Sequence, residues 1–136
     1  MSLFNLFNKP EKENQPAYQV GQEWHYHTRS GEENSTLKIV KTEQDEGGVI
    51  VHIYVSGIHL VSPGSSVGFV DYISHLPLAE EALIGSITRL KNDRCEMPDY
   101  EFGYVRWKTA YEENKAGVFS LPLKEILQYL ESGKYK

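Results

Sequence analysis

The 136-residue sequence predicts an α+β fold: a three- to four-stranded antiparallel meander packed with two or three helices from the C-terminal half. Three observations predict it. Apolar and polar residues alternate through three successive segments between positions 17 and 57, the period-two signature of half-buried strands. Short polar, Gly-containing stretches separate those segments. Beyond position 77 the apolar spacing lengthens to three and four residues, the period of an amphipathic helix.

The elements follow in order. In residues 17–29, Val20, Trp24 and Tyr26 share one face, while Glu23, His25, His27 and Arg29 take the other. "SGEEN" reads as a turn, and "STLKIVKTE" (35–43) as a β-branched strand with Leu37 and Ile39 on one side. "QDEGG" closes a hairpin, with Gly47 and Gly48 expected at positive φ. "VIVHIYVSG" (49–57) is the strongest strand, with Val49, Val51, Ile53 and Val55 inward and His52 and Tyr54 outward. "FVDYIS" (69–74) alternates as a further short strand. "PLAEEALIGSITRL" (77–90) reads as a helix with Pro77 in its first turn and Ala79, Leu83, Ile87 and Leu90 on one stripe. Tyr100, Tyr104, Trp107 and Tyr111 recur at helical spacing after Asp99, a candidate N-cap. "SLPLKEILQYLES" (120–132) forms a last helix, with Ser120 as N-cap and Leu123, Ile126, Leu127 and Leu130 as its apolar face. The helices are expected to cover one face of the sheet.

Composition narrows the function classes. A formal charge of −5 and the lack of any Lys/Arg-rich run argue against nucleic-acid binding, which needs clustered cations to neutralise phosphate. The same charge disfavours an anionic membrane surface. The single cysteine, Cys95, excludes an intrachain disulfide and suits a reducing, cytoplasmic setting. Cys95 lies in the polar connector "NDRCEMPD", with Arg94 its one neighbour able to support a thiolate. The N-terminal "MSLFNLFNK" is too short in its apolar run for a signal peptide or a membrane span. Residues 1–16 therefore read as a flexible, solvated segment, and 17–136 as one α+β domain.

Three motifs bear on chemistry. His25 and His27, at i and i+2 on a strand, face the same way, and Glu32 follows a turn later, so the string is His-x-His-x4-Glu. Such a set is able to hold a divalent metal, with His52 as a further imidazole ligand. The string resembles the first motif of the cupins, β-barrel proteins, and that resemblance implies a Mn, Fe, Ni or Zn site made of three His and a Glu. It covers about eight residues: Gln19 replaces the leading glycine, and Ser65 and Gly68 stand where the second motif has Gly and His. Opposite Trp24 and Tyr26, the two histidines also fit a plain solvent-facing role. Gly64-Ser65-Ser66-Val67-Gly68 resembles the nucleophile elbow of α/β-hydrolases, which implies Ser66 as nucleophile with Asp71 and His75 as partners. Those partners stand within nine residues of the Ser, and a strand rather than a helix is expected next. His75, before a helix start, suits either a turn or a general base.

The aromatic series on the 100–111 helix, interleaved with Arg106 and Lys108, fits a core stripe or a recognition surface. Since no complete catalytic constellation is present, the sequence points first to a non-enzymatic, protein-binding module of the immunity or regulator kind found in bacteria, without a cofactor. Trp24, Tyr104, Trp107 and Tyr111 are its candidate contact residues. A metal-binding protein or metal-dependent enzyme using His25, His27, Glu32 and His52 is the first alternative. A small-molecule binder with an aromatic pocket between sheet and helices is the second.

Overall fold

The computed structural model describes residues 17–62 and 66–132. Among these residues, five strands form one antiparallel sheet: β1 (Glu23–Tyr26), β2 (Thr36–Asp45), β3 (Gly48–Val61), β4 (Phe69–Ala79) and β5 (Ile87–Asn92), in the order β4-β3-β2-β1-β5. The first four strands make the expected meander. β5 then returns to pair with the free side of β1, placing Ile87 beside Tyr26 and Leu90 beside Trp24. Helices α1 (Glu80–Ser86), α2 (Glu101–Glu112) and α3 (Leu123–Ser132) complete the α+β fold. Residues 1–16, read from sequence as a flexible segment, lie outside the described residues, as do Gly64 and Ser65 of the Gly-x-Ser-x-Gly string.

Strand alternation builds the core as the sequence predicts. Trp24 and Tyr26 point to the same face as Leu37, Ile39, Val51, Ile53 and Val55, and all are buried. Ala82 and Leu83 of α1 and Leu123, Ile126 and Leu127 of α3 cover that face. Burial of this apolar area is the main force holding the domain together. Ser86 joins the two helices: its Oγ donates to the Ala82 carbonyl at 2.7 Å and accepts from the Leu123 N–H at 2.9 Å.

Four expectations change. The 77–90 stretch is a strand end, a seven-residue helix and another strand, because Pro77 belongs to β4 and β-branched Ile87 and Thr88 open β5. Proline is tolerated there because β4 is an edge strand. At the β2–β3 hairpin only Gly48 takes positive φ; the Gly47 N–H is instead held by Asp45 Oδ1 at 2.8 Å. Asp99 does not cap α2, whose N-cap is Tyr100 without a side-chain bond. Finally, α2 does not join the other helices. It lies on the opposite face of the sheet and has no buried residue, so its attachment depends on particular polar and aromatic contacts.

Two bulges prepare that second face. In β2 the register passes from Ile39↔Ile53 to Lys41↔His52, leaving Val40 as an extra residue. Strict alternation would send Glu43 to the core face with Leu37 and Ile39. The extra residue turns it to the side of His52, the re-aiming that bulges provide. In β4 the register passes from Ile73↔Val55 to Leu76↔Ile53, so Ser74 and His75 both stand opposite Tyr54. That bulge brings His75 to the same face.

Candidate functional site

The second face holds a chain of ionisable groups. His52, fully buried, places Nε2 2.7 Å from Glu43 Oε2 and Nδ1 2.8 Å from His75 Nε2. An ionised carboxylate only accepts, so neutral His52 carries its hydrogen on Nε2 and its Nδ1 accepts from the His75 Nε2–H. Glu43 is shared by α2 as well: Lys108 Nζ donates to it at 2.9 Å and the Tyr104 hydroxyl at 3.1 Å. Above the imidazoles sit the rings of Tyr104 and Trp107, edge-on to His52 with centroids 4.9 and 5.0 Å away. Trp107 Nε1 donates to the Gly117 carbonyl at 2.8 Å, and the Tyr111 hydroxyl bonds Asp45. Gly103 permits the close approach, since a Cβ there would lie 3.0 Å from the His75 Cβ.

The charge states follow from this packing. Burial pushes both histidines down, His75 to about 4, with the neighbouring His52 adding to the effect and Glu43 opposing it. His52 is also lowered, by burial first and then against the pull of Glu43. Burial alone would raise the Glu43 carboxyl, but its bonds from Lys108, His52 and Tyr104 hold it below its usual value. At neutral pH the array is one anion, two neutral imidazoles and the Lys108 ammonium, with Lys41 Nζ 5.2 Å from the Tyr104 ring centroid. Both His52 nitrogens are used within the protein, and Trp107 and Tyr104 cap the chain. It is a docking site for α2.

Beside this array, on the far side of Gly103, is an open cleft of about 320 Å³ lined by Tyr54, Tyr72, Ser74, Asp99, Phe102 and Gly103. Tyr54 and Tyr72 stack with centroids 5.7 Å apart. Phe102 is 75% exposed and Tyr72 52% exposed, and Val105, one turn along α2 from Phe102, is 57% exposed.

The structure distributes the residues singled out from sequence. Trp24 is core, its Nε1 held by Gln22 Oε1 at 3.0 Å. Tyr104, Trp107 and Tyr111 face the sheet, half-buried, so they anchor α2 rather than display it. The aromatic concavity uses Tyr54, Tyr72 and Phe102 instead. Of the four metal candidates, His25 is half-buried on β1 and His27 is exposed past its end. Glu32 is buried and takes both Arg29 Nε and Nη2, at 2.9 and 2.6 Å, and the His59 N–H at 2.7 Å. His52 is spent on Glu43 and His75. Among the described residues no group of three or more His, Cys, Asp and Glu is placed to hold a metal ion. Burial raises the Cys95 thiol, against thiolate chemistry. β4, a strand, follows Ser66 where a nucleophile elbow has a helix, and His75 is tied to His52.

Sequence reasoning missed Glu43, Tyr54, Tyr72, Phe102 and Asp99 as site residues. Glu43 had no signal, since the Val40 bulge reverses its side. Phe102 had one: an aromatic off the apolar stripe of its helix. Comparison with protein-family models, curated proteins and solved structures finds no match. No helix among the described residues is long and apolar enough to cross a membrane.

Proposed function

We propose that the protein is a non-enzymatic binding module that engages another protein, in a reducing, cytoplasmic setting, through the face formed by α2 and the adjoining edge strand β4. The observation that carries this is the exposure of Phe102 and Tyr72 at a single cleft, with exposed Val105 one turn along α2 from Phe102. Large apolar side chains grouped on a surface mark interaction sites, whereas isolated ones do not. Aromatic residues and arginine dominate the binding energy of protein interfaces, and Arg106 lies over the Phe102 ring at 5.7 Å. The array beneath α2 supports the same reading, because it fixes the helix that presents these side chains and leaves no activated nucleophile.

The test compares proteins retained from the native host by wild type and by a Phe102→Ser/Val105→Ser double variant. Neither side chain is buried, so folding should be unaffected. Loss of two central contacts should reduce retention about tenfold or more, the equivalent of at least about 1.4 kcal/mol. A Leu90→Ser control on β5, at the other edge of the sheet, should retain the partner. Equal retention by the double variant would exclude this face.

A further inference from the structure

We propose that the cleft between α2 and β3–β4 receives an arginine side chain of the partner, its guanidinium stacked against the exposed rings and bonded to Asp99. This rests on the reading of the protein as a partner-binding module and adds the chemistry that the partner must present.

The cleft combines three aromatic rings with two unspent polar groups. Tyr72 and Phe102 offer exposed faces, and Tyr54 stacks behind Tyr72. The Asp99 carboxylate, on the exposed segment just before α2, has no hydrogen-bond or ion-pair partner among the described residues. The Ser74 hydroxyl, from the β4 position that follows Ile73 opposite Tyr54, makes no hydrogen bond among them either. An unpaired carboxylate at the mouth of an aromatic cleft calls for a cation, because ring faces are negative and carboxylates only accept.

Guanidinium fits this set better than ammonium. It is planar, so it stacks on a ring while its N–H groups remain in plane to reach a carboxylate bidentately. It is also less strongly hydrated, so entering a half-buried cleft costs it less. The protein's own cations do not fill the place. Lys38 Nζ lies 5.9 Å from the Tyr54 ring centroid and Arg106 5.7 Å from that of Phe102, but neither lines the cleft. They show that these rings take cations. The formal charge of −5 favours approach of a basic segment.

The experiment is an amide NMR titration of the full chain with N-acetyl-arginine N-methylamide and, separately, with the citrulline counterpart, which has the same shape and no charge. Arginine should give saturable shifts at Tyr72, Ser74 and Gly103. Citrulline should give none that saturate over the same range. Asp99→Asn, an exposed and nearly isosteric change, should weaken the arginine response about fivefold or more. Equal responses to the two probes, no saturable response to arginine, or an unchanged response in Asp99→Asn would each overturn the proposal. Retention of a partner through Phe102 would survive that result, so the two readings fail separately.

Discussion

Replacing Glu32 by alanine should destabilise the domain by about 3–5 kcal/mol, the cost of removing one partner of a buried ion pair. The Arg29 and Glu32 side chains are only 11% and 5% exposed. Arg29 grips Glu32 through two nitrogens and also reaches Glu131 at 3.0 Å and the His59 carbonyl at 3.1 Å. Glu131 in turn accepts from the Val61 N–H at 2.7 Å. The cluster therefore ties the β1–β2 connection, the end of β3 and the end of α3 together. Burial alone would raise the Glu32 carboxyl, yet the Arg29 bonds, the His59 N–H and the Arg29 charge hold it below its usual value. Alanine leaves the Arg29 charge half-satisfied and the His59 N–H without its acceptor. Urea unfolding of wild type, Glu32→Ala and Glu32→Gln measures this. Glu32→Gln keeps an acceptor and should lose less. A change below about 1 kcal/mol in the alanine variant would mean that the cluster is solvated and does not hold the fold.

Stability should also fall as pH is lowered from about 6.5 towards 4, through His75 and His52. Both have lower values folded than unfolded, and His75 drops from 6.5 to about 4. In that window the unfolded chain binds more protons than the native one, so unfolding becomes easier as acid is added. The contribution is fully present above pH 6.5 and is lost as pH falls to the folded value. His75 alone accounts for up to about 3 kcal/mol over this range, and His52 adds in the same direction. A structural reason parallels the linkage: with both imidazoles protonated, His52 Nδ1 and His75 Nε2 would each carry a hydrogen and their bond would be lost. Lys41 and Lys108 would then oppose two new charges with Glu43 as the one anion facing them. Glu32 and Glu43, whose values are lowered, lose their contribution below their unfolded value of 4.5, so the range from pH 7.0 to 5.0 reports the histidines. Urea midpoints at pH 7.0, 6.0 and 5.0 should fall steadily in wild type, and much less in His75→Gln. A flat profile in wild type would contradict the buried, neutral state of the pair.

Much of the fold was legible because its core strands obey plain alternation. Trp24 and Tyr26 inside, with His25 on the other face, follow from period two alone, as do Val51, Ile53 and Val55. Apolar spacing was enough to place α3 on the core. Legibility ended where a single residue broke the period. Val40 reverses Glu43, and the paired Ser74 and His75 bring a second imidazole to His52; neither bulge carries a glycine or proline to announce it. Helical spacing of Leu83, Ile87 and Leu90 continues smoothly across a helix–strand boundary, so periodicity predicts helix where β5 stands. The stripe Tyr104, Trp107 and Tyr111 was correctly seen as one face, but periodicity cannot say which side of a sheet that face meets. Because it met a polar array, Phe102 and Val105 are left facing outward.

The proposed role of this surface is to meet a protein partner. It is tested most directly by photo-crosslinking in the native host, with a benzoylphenylalanine residue substituted at position 105 and, as control, at position 90. A discrete crosslinked species is expected from position 105, lost when Phe102 is also changed to Ser, and none is expected from position 90. No species from position 105, or the same species from both positions, would contradict it.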